Sequence, residues 1–174
     1  MPLRSLCAST ALLMVATIAM ATPAIADPSD DYINADRPGI ADGSTTVGKG
    51  RFQLETAIQA EFRHDGDEHE RTIFFPTLLR YGVVDKVELR VEGNTYSWMR
   101  QKDATNTSYS NGFSPTSIGL KYNFIDVPEG SKQVSLGAIA RIFPPSGSGD
   151  FRNSKTTGDL RMAADWAFAD NWSL

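Results

Sequence analysis

The chain has 174 residues, a length suited to one domain, and carries 17 basic against 21 acidic residues for a formal net charge of −4. Its one cysteine, Cys7, lies in the N-terminal leader, so the exported chain has no disulfide framework and no thiol chemistry. An acidic balance without a concentrated basic face excludes a nucleic-acid partner.

Arg4, the apolar stretch from Ala11 to Met20 and the small residues of Pro23-Ala24-Ile25-Ala26 predict a secretory signal peptide over 1–26, cleaved after Ala26. The apolar stretch is shorter than the roughly 20 residues of a spanning helix. Without Arg4 the mature chain has 16 basic and 21 acidic residues, 16 minus 21 or −5.

Residues 27–50 are expected to form an N-terminal periplasmic segment. From Arg51 to Phe62 the sequence alternates, with Phe52, Leu54, Ile58, Ala60 and Phe62 on one parity and Gln53, Glu55, Gln59 and Glu61 on the other. That period predicts a β-strand, with a length close to the roughly 9 to 11 residues of a tilted transmembrane strand. After the polar, turn-forming His64–Glu70, a second strand is expected over Arg71–Tyr81, with a bulge near Pro76 or a start just after it.

A third strand, Val87–Trp98, sets Val87, Leu89 and Val91 against Glu88, Arg90 and Glu92. A long polar stretch from Met99 to Gly112 leads to a fourth, with Ile118, Leu120, Tyr122 and Phe124 on one face. A fifth carries Val134, Leu136, Ala138, Ala140 and Ile142. The Pro/Gly/Ser-rich stretch Pro144–Thr157 leads to a sixth, carrying Leu160, Met162, Ala164, Trp166 and Phe168. Trp172 begins a seventh.

Connections after strands one, three and five read as polar and mostly long, those after two, four and six as shorter. Outer-membrane barrels show this asymmetry, which puts the N-terminus in the periplasm. The expected fold is all-β: an antiparallel up-and-down transmembrane β-barrel over 51–174, with six complete strands and the start of a seventh. Alternation is shared with lipocalin-like soluble barrels, which differ only in the face turned inward. Long strands favour the membrane. So do mixed charges on the polar faces and aromatics near strand ends such as Phe52, Phe62, Tyr81, Tyr122, Phe124, Phe143, Trp166 and Phe168.

Asp36-Arg37-Pro38 followed by Gly50-Arg51-Phe52-Gln53-Leu54-Glu55, and then Leu78-Leu79-Arg80-Tyr81-Gly82-Val83-Val84-Asp85-Lys86-Val87-Glu88-Leu89-Arg90, resemble motifs of the outer-membrane "transporter" family named for the MetA pathway of phenol degradation. The resemblance spans residues 34–92. It implies an outer-membrane β-barrel that passes small molecules, hydrophobic or aromatic ones among them, by passive or facilitated diffusion. Its partners would be outer-membrane lipid, the permeant and the barrel-assembly machinery, and its location the bacterial outer membrane. Six complete strands are fewer than the eight of the smallest such barrels. Leu174 also stands where a closing aromatic is expected, so the chain reads as truncated.

The candidate lumen-facing residues are Glu55, Glu61, Arg80, Glu88, Arg90, Glu92, Lys121, Arg141, Arg161 and Asp165. Such charges tune selectivity in pores. Opposite charges on neighbouring strands serve equally to pair and hold the wall, which is the expected role of most of them. His64 and His69, among Asp65, Asp67, Glu68 and Glu70, match no metal-loop template and read as a solvated acidic loop. No catalytic residue, metal or cofactor is assigned. Two other classes stay open: a lipid-modifying enzyme pairing His64 or His69 with Ser108, Ser110 or Ser114, and a structural or adhesion barrel without transport.

Overall fold

The alternating segments become one antiparallel sheet because each carries a full period-2 pattern, and no stretch offers the 3.6-residue apolar stripe of a competing helix. The structure, a computed structural model, describes residues 33, 35, 36, 41–128, 131–169, 172 and 173, all within the unit Ile33–Leu174. The expected signal peptide, Arg37-Pro38 of the first motif, the turn at Asp170-Asn171 and Leu174 lie outside the described residues.

In chain order the strands are β1 (Phe52–Thr56), β2 (Gln59–Asp65), β3 (Glu68–Val84), β4 (Val87–Lys102), β5 (Thr107–Gly112), β6 (Ser117–Ile125), β7 (Val134–Phe143), β8 (Thr157–Ala169) and β9 (Trp172–Ser173). The order across the sheet is β1-β3-β4-β6-β7-β8-β9, with β2 also pairing β3 and β5 also pairing β4. Every pairing is antiparallel, and the sheet curls into a half-barrel. Among the described residues there is no α-helix and no helix long and apolar enough to cross a membrane, which says nothing of a barrel.

Pro76 explains the departures from the simplest reading. It sits inside β3, where it has no N–H to give a neighbour. On one side the expected first strand breaks at Ala57-Ile58 into β1 and β2, with the Ala57 N–H donating to the Pro76 carbonyl at 3.2 Å. On the other side the β3–β4 register shifts, Phe74 pairing Ser97 but Pro76 pairing Asn94, so Thr95 and Tyr96 together stand opposite Phe75. This bulge switches the outward parity of β4, carrying Leu89 and Val91 below it and Trp98 above it onto the same face. Trp98 then meets Phe75 edge-on, with ring centroids 5.6 Å apart.

Two connections expected as long loops are instead strand extensions. β2 runs through His64 to Asp65 and β3 begins at Glu68, so the turn is only Gly66-Asp67, with Gly66 at φ 58°. β4 continues to Lys102 and returns as β5, the turn held by Asp103 Oδ1 accepting from the Thr105 and Asn106 N–H groups at 2.8 and 2.6 Å. Those bonds hold the Asp103 carboxyl below its ordinary pKa. Polar composition conceals these strands because neither face there is apolar, while the backbone ladder needs only partners.

The sheet is reversed relative to a water-soluble one. On its convex face Phe52 is 63% exposed, Leu120 50% and Leu160 74%, whereas concave Arg80 and Lys121 are 1% and 0% exposed. The concave face is closed over by the segment preceding β1. Gly82 lets it approach: a Cβ there would stand 1.7 Å from the Gly48 carbonyl oxygen, and Gly50 N–H donates to the Gly82 carbonyl at 2.7 Å. Gly82→Ala is therefore expected to displace residues 48–50 and cost about 1–3 kcal/mol, read as a lowered denaturant midpoint. An unchanged midpoint would show that this contact does not seat the segment.

Candidate functional site

The inward parity of β1, β3, β4 and β6 places Glu55, Arg80, Glu88, Arg90 and Lys121 on one concave surface, because these positions pair or neighbour one another across the ladder. Arg80 is the hub. Its Nε donates to Glu88 Oε1 at 2.8 Å, its Nη2 to Glu88 Oε2 at 2.9 Å, and its Nη1 to Glu55 Oε1 at 3.0 Å. The fork of the guanidinium matches the Glu88 carboxylate with two parallel bonds.

The segment before β1 supplies the remaining partners. Asp36 Oδ2 accepts from Arg90 Nη1 at 2.6 Å and Lys121 Nζ at 2.8 Å, and Arg80 Nη1 lies 3.6 Å away. Asp42 bridges two strands, meeting Arg90 Nη2 at 2.8 Å and Arg161 Nη1 at 3.2 Å. The Thr45 carbonyl accepts from both Arg80 Nη2 and Lys121 Nζ at 3.1 Å, and Val47 N–H donates to Glu88 Oε2 at 3.0 Å. Ser44 N–H and Oγ donate to Asp165 Oδ2 at 2.6 and 2.5 Å, with Ser135 Oγ 2.7 Å from Ser44 Oγ. Asn123 Nδ2 donates to the Ser44 carbonyl at 3.1 Å. Gly137 clears this path, since a Cβ there would lie 2.8 Å from that same carbonyl oxygen.

A second cluster stands beside the first. Arg141 holds Asp159 through Nε at 2.9 Å and Nη2 at 2.5 Å, and Glu92 through Nη1 at 2.7 Å. Arg161 is half exposed and reaches Asp159 at 3.5 Å as well as Asp42.

Nine of the ten predicted positions therefore meet, as two adjoining networks: Glu55, Arg80, Glu88, Arg90, Lys121, Arg161 and Asp165 around the N-terminal segment, and Glu92 and Arg141 around Asp159. Glu61 stands apart on β2, exposed, with Arg63 at 3.9 Å its only ionic neighbour among the described residues. Sequence reasoning passed over Asp36, Asp42, Ser44, Asn123, Ser135 and Asp159 as site residues. The available signal was the placing of Arg80, Arg90 and Lys121 on the inward parity of neighbouring strands, since cations brought together need carboxylates beside them.

A family model described as "Putative MetA-pathway of phenol degradation" matches residues 35–174. The chain belongs to this family. No curated protein and no solved structure matches it significantly. In this member of the MetA-pathway family the matched region begins one residue before Asp36, so it contains both the sheet and the segment that fills its concave face.

Burial by itself would raise the Asp36 carboxyl, but Lys121, Arg80 and Arg90 outweigh it and bring its pKa from 3.8 down to about 2. A depressed folded pKa stabilises the fold above the unfolded value, and this contribution is lost as pH falls from near 4 through about 2. Asp36→Asn should flatten that acid limb. It should also cost about 3–5 kcal/mol at neutral pH by leaving buried cations short of a counter-charge, as measured by urea unfolding across pH. An Asp36→Asn protein with an unaltered acid limb would remove Asp36 from the network.

Proposed function

We propose that this chain forms a β-barrel of the bacterial outer membrane that passes small molecules, hydrophobic or aromatic ones among them, by passive or facilitated diffusion. The observation that carries the reading is the reversed sheet. Apolar side chains cover its convex face, ionic and hydrogen-bonding groups its concave one, and so broad an exposed apolar surface is not stable in water. Hydrocarbon is the medium that such a face fits, provided backbone groups are paired as a barrel pairs them. Membership of the MetA-pathway family is consistent with a role in handling aromatic compounds.

Four of the residues weighed for nucleophilic chemistry have partners of their own. His64 and His69 face each other with their Nδ1 atoms 2.6 Å apart, Ser110 donates to Asp150, and the Ser114 hydroxyl accepts from Asn94 N–H at 2.6 Å.

The mature protein should fractionate with outer membranes and require detergent for release; recovery as soluble periplasmic protein would sink the barrel reading. Reconstituted protein should admit small aromatic solutes into liposomes, and an impermeable barrel would remove transport while sparing the fold. The N-terminal segment acts here as a fixed part of the lumen wall, since it is tied to β3, β4, β6, β7 and β8. Ser44→Cys with Ser135→Cys should form a disulfide that leaves flux unchanged between oxidised and reduced protein. Flux that appears only on reduction would make the segment a moving plug.

A further inference from the structure

The hairpin tips of β2–β3 and β4–β5 sort their charges by face. Register sets Phe62, Arg71, Arg100 and Tyr109 in one row across four strands, and His64, His69, Lys102 and Thr107 in the next. Both rows continue the convex face beyond Trp98, which is 47% exposed in the row below. The acidic Asp65, Glu68 and Glu70 fall on the opposite parity, with Arg63 among them. Arg71 and Arg100 are thus directly opposed like charges, an arrangement that destabilises a sheet unless an anion is shared between them.

No such anion stands between them among the described residues. Among the described residues Arg71, Arg100 and Lys102 have no carboxylate partner; the Arg71 guanidinium instead lies over the Phe62 ring, 5.5 Å from its centroid. Phe62 and Tyr109, 70% and 73% exposed, flank the two arginines, so the cations stand at the aromatic margin of the apolar face. Phe62, Arg71, Arg100 and Lys102 line a depression there, with Arg63, the two histidines and the Glu70 carboxylate also on its wall.

We propose that Arg71, Arg100 and Lys102 form a binding site for the phosphate of an anionic membrane lipid, whose chains lie along the apolar face below while its headgroup bridges the opposed guanidinium groups. Rigid arginine forks suit phosphate oxygens, and a basic group at the edge of a hydrophobic band is where headgroup charge concentrates. This rests on the barrel reading above, which provides the bilayer. It adds the identity of a lipid contact and the residues that make it.

The test compares the full protein with Arg71→Gln/Arg100→Gln/Lys102→Gln in phosphatidylcholine vesicles, with and without phosphatidic acid. Unfolding is followed by the loss of heat-modifiable electrophoretic mobility. Wild type should insert into both membranes and unfold about 5 °C higher with phosphatidic acid, an increment that shrinks with salt. The triple variant should insert normally into phosphatidylcholine and lose the increment, while Glu68→Gln/Glu70→Gln keeps it. Retention of the increment by the triple variant overturns the site. An equal increment from inorganic phosphate in phosphatidylcholine vesicles also overturns it, in favour of a soluble anion. Failure of wild type to insert into either membrane defeats the barrel reading itself, and the lipid site with it.

Discussion

The structure depends on the neutralisation of three buried cations, Arg80, Arg90 and Lys121, by Asp36, Asp42, Glu55 and Glu88. Each ion costs several kcal/mol to remove from water, and that cost is offset only where hydrogen bonds are short and nearly all donors are used. Arg80 spends its fork on Glu88 and its remaining donors on Glu55 and the Thr45 carbonyl. Arg90 Nε and Asn123 Oδ1 are the buried side-chain atoms left without a partner among the described residues. The network ties the segment before β1 to strands that follow it by many residues.

This arrangement reverses the usual division of labour in a domain. Among the described residues few apolar side chains are buried, Leu78 and Ile139 being the most enclosed, while Arg80, Arg90 and Lys121 are among the largest fully buried residues. Cohesion within the concave face is ionic and hydrogen-bonded, and the hydrophobic surface is left for a surrounding medium. In the bilayer that the proposed barrel implies, water would be removed from the convex face and the cost of any unpaired backbone group would rise. Long strands such as β3 and β4 then do two things at once. Their middles carry the apolar band, and their polar ends project past it to hold the segregated charges at the hairpin tips.

The strands themselves were legible because alternation is a local property: Phe52, Leu54, Leu120, Leu160 and Met162 fall on the outward parity wherever the backbone is extended. The irregularity at Pro76 was legible for the same reason, since a residue without an N–H disturbs any ladder it enters. Its form was not, because the extra residue lies at Thr95-Tyr96 on a strand whose sequence gives no sign of it. The polar hairpin extensions at His64–Glu70 and Met99–Gly112 were hidden, as backbone pairing leaves no mark on a stretch with two polar faces. Of the site, the inward charges on each strand could be read singly, and their partners could not.

What the sequence determines alone is the extended backbone, the two unlike faces of the alternating strands and the place of Arg80, Arg90 and Lys121 on the inward parity of β3, β4 and β6. These follow from period-2 geometry and need no knowledge of distant residues. Only the tertiary structure decides that Asp36, Asp42 and Ser44 supply the missing acceptors, and that Gly82 and Gly137 make room for them. Charge pairing acts over a few ångströms in space and is indifferent to separation along the chain, so the Asp36–Lys121 bond, across 85 positions, exists only once the sheet has curled.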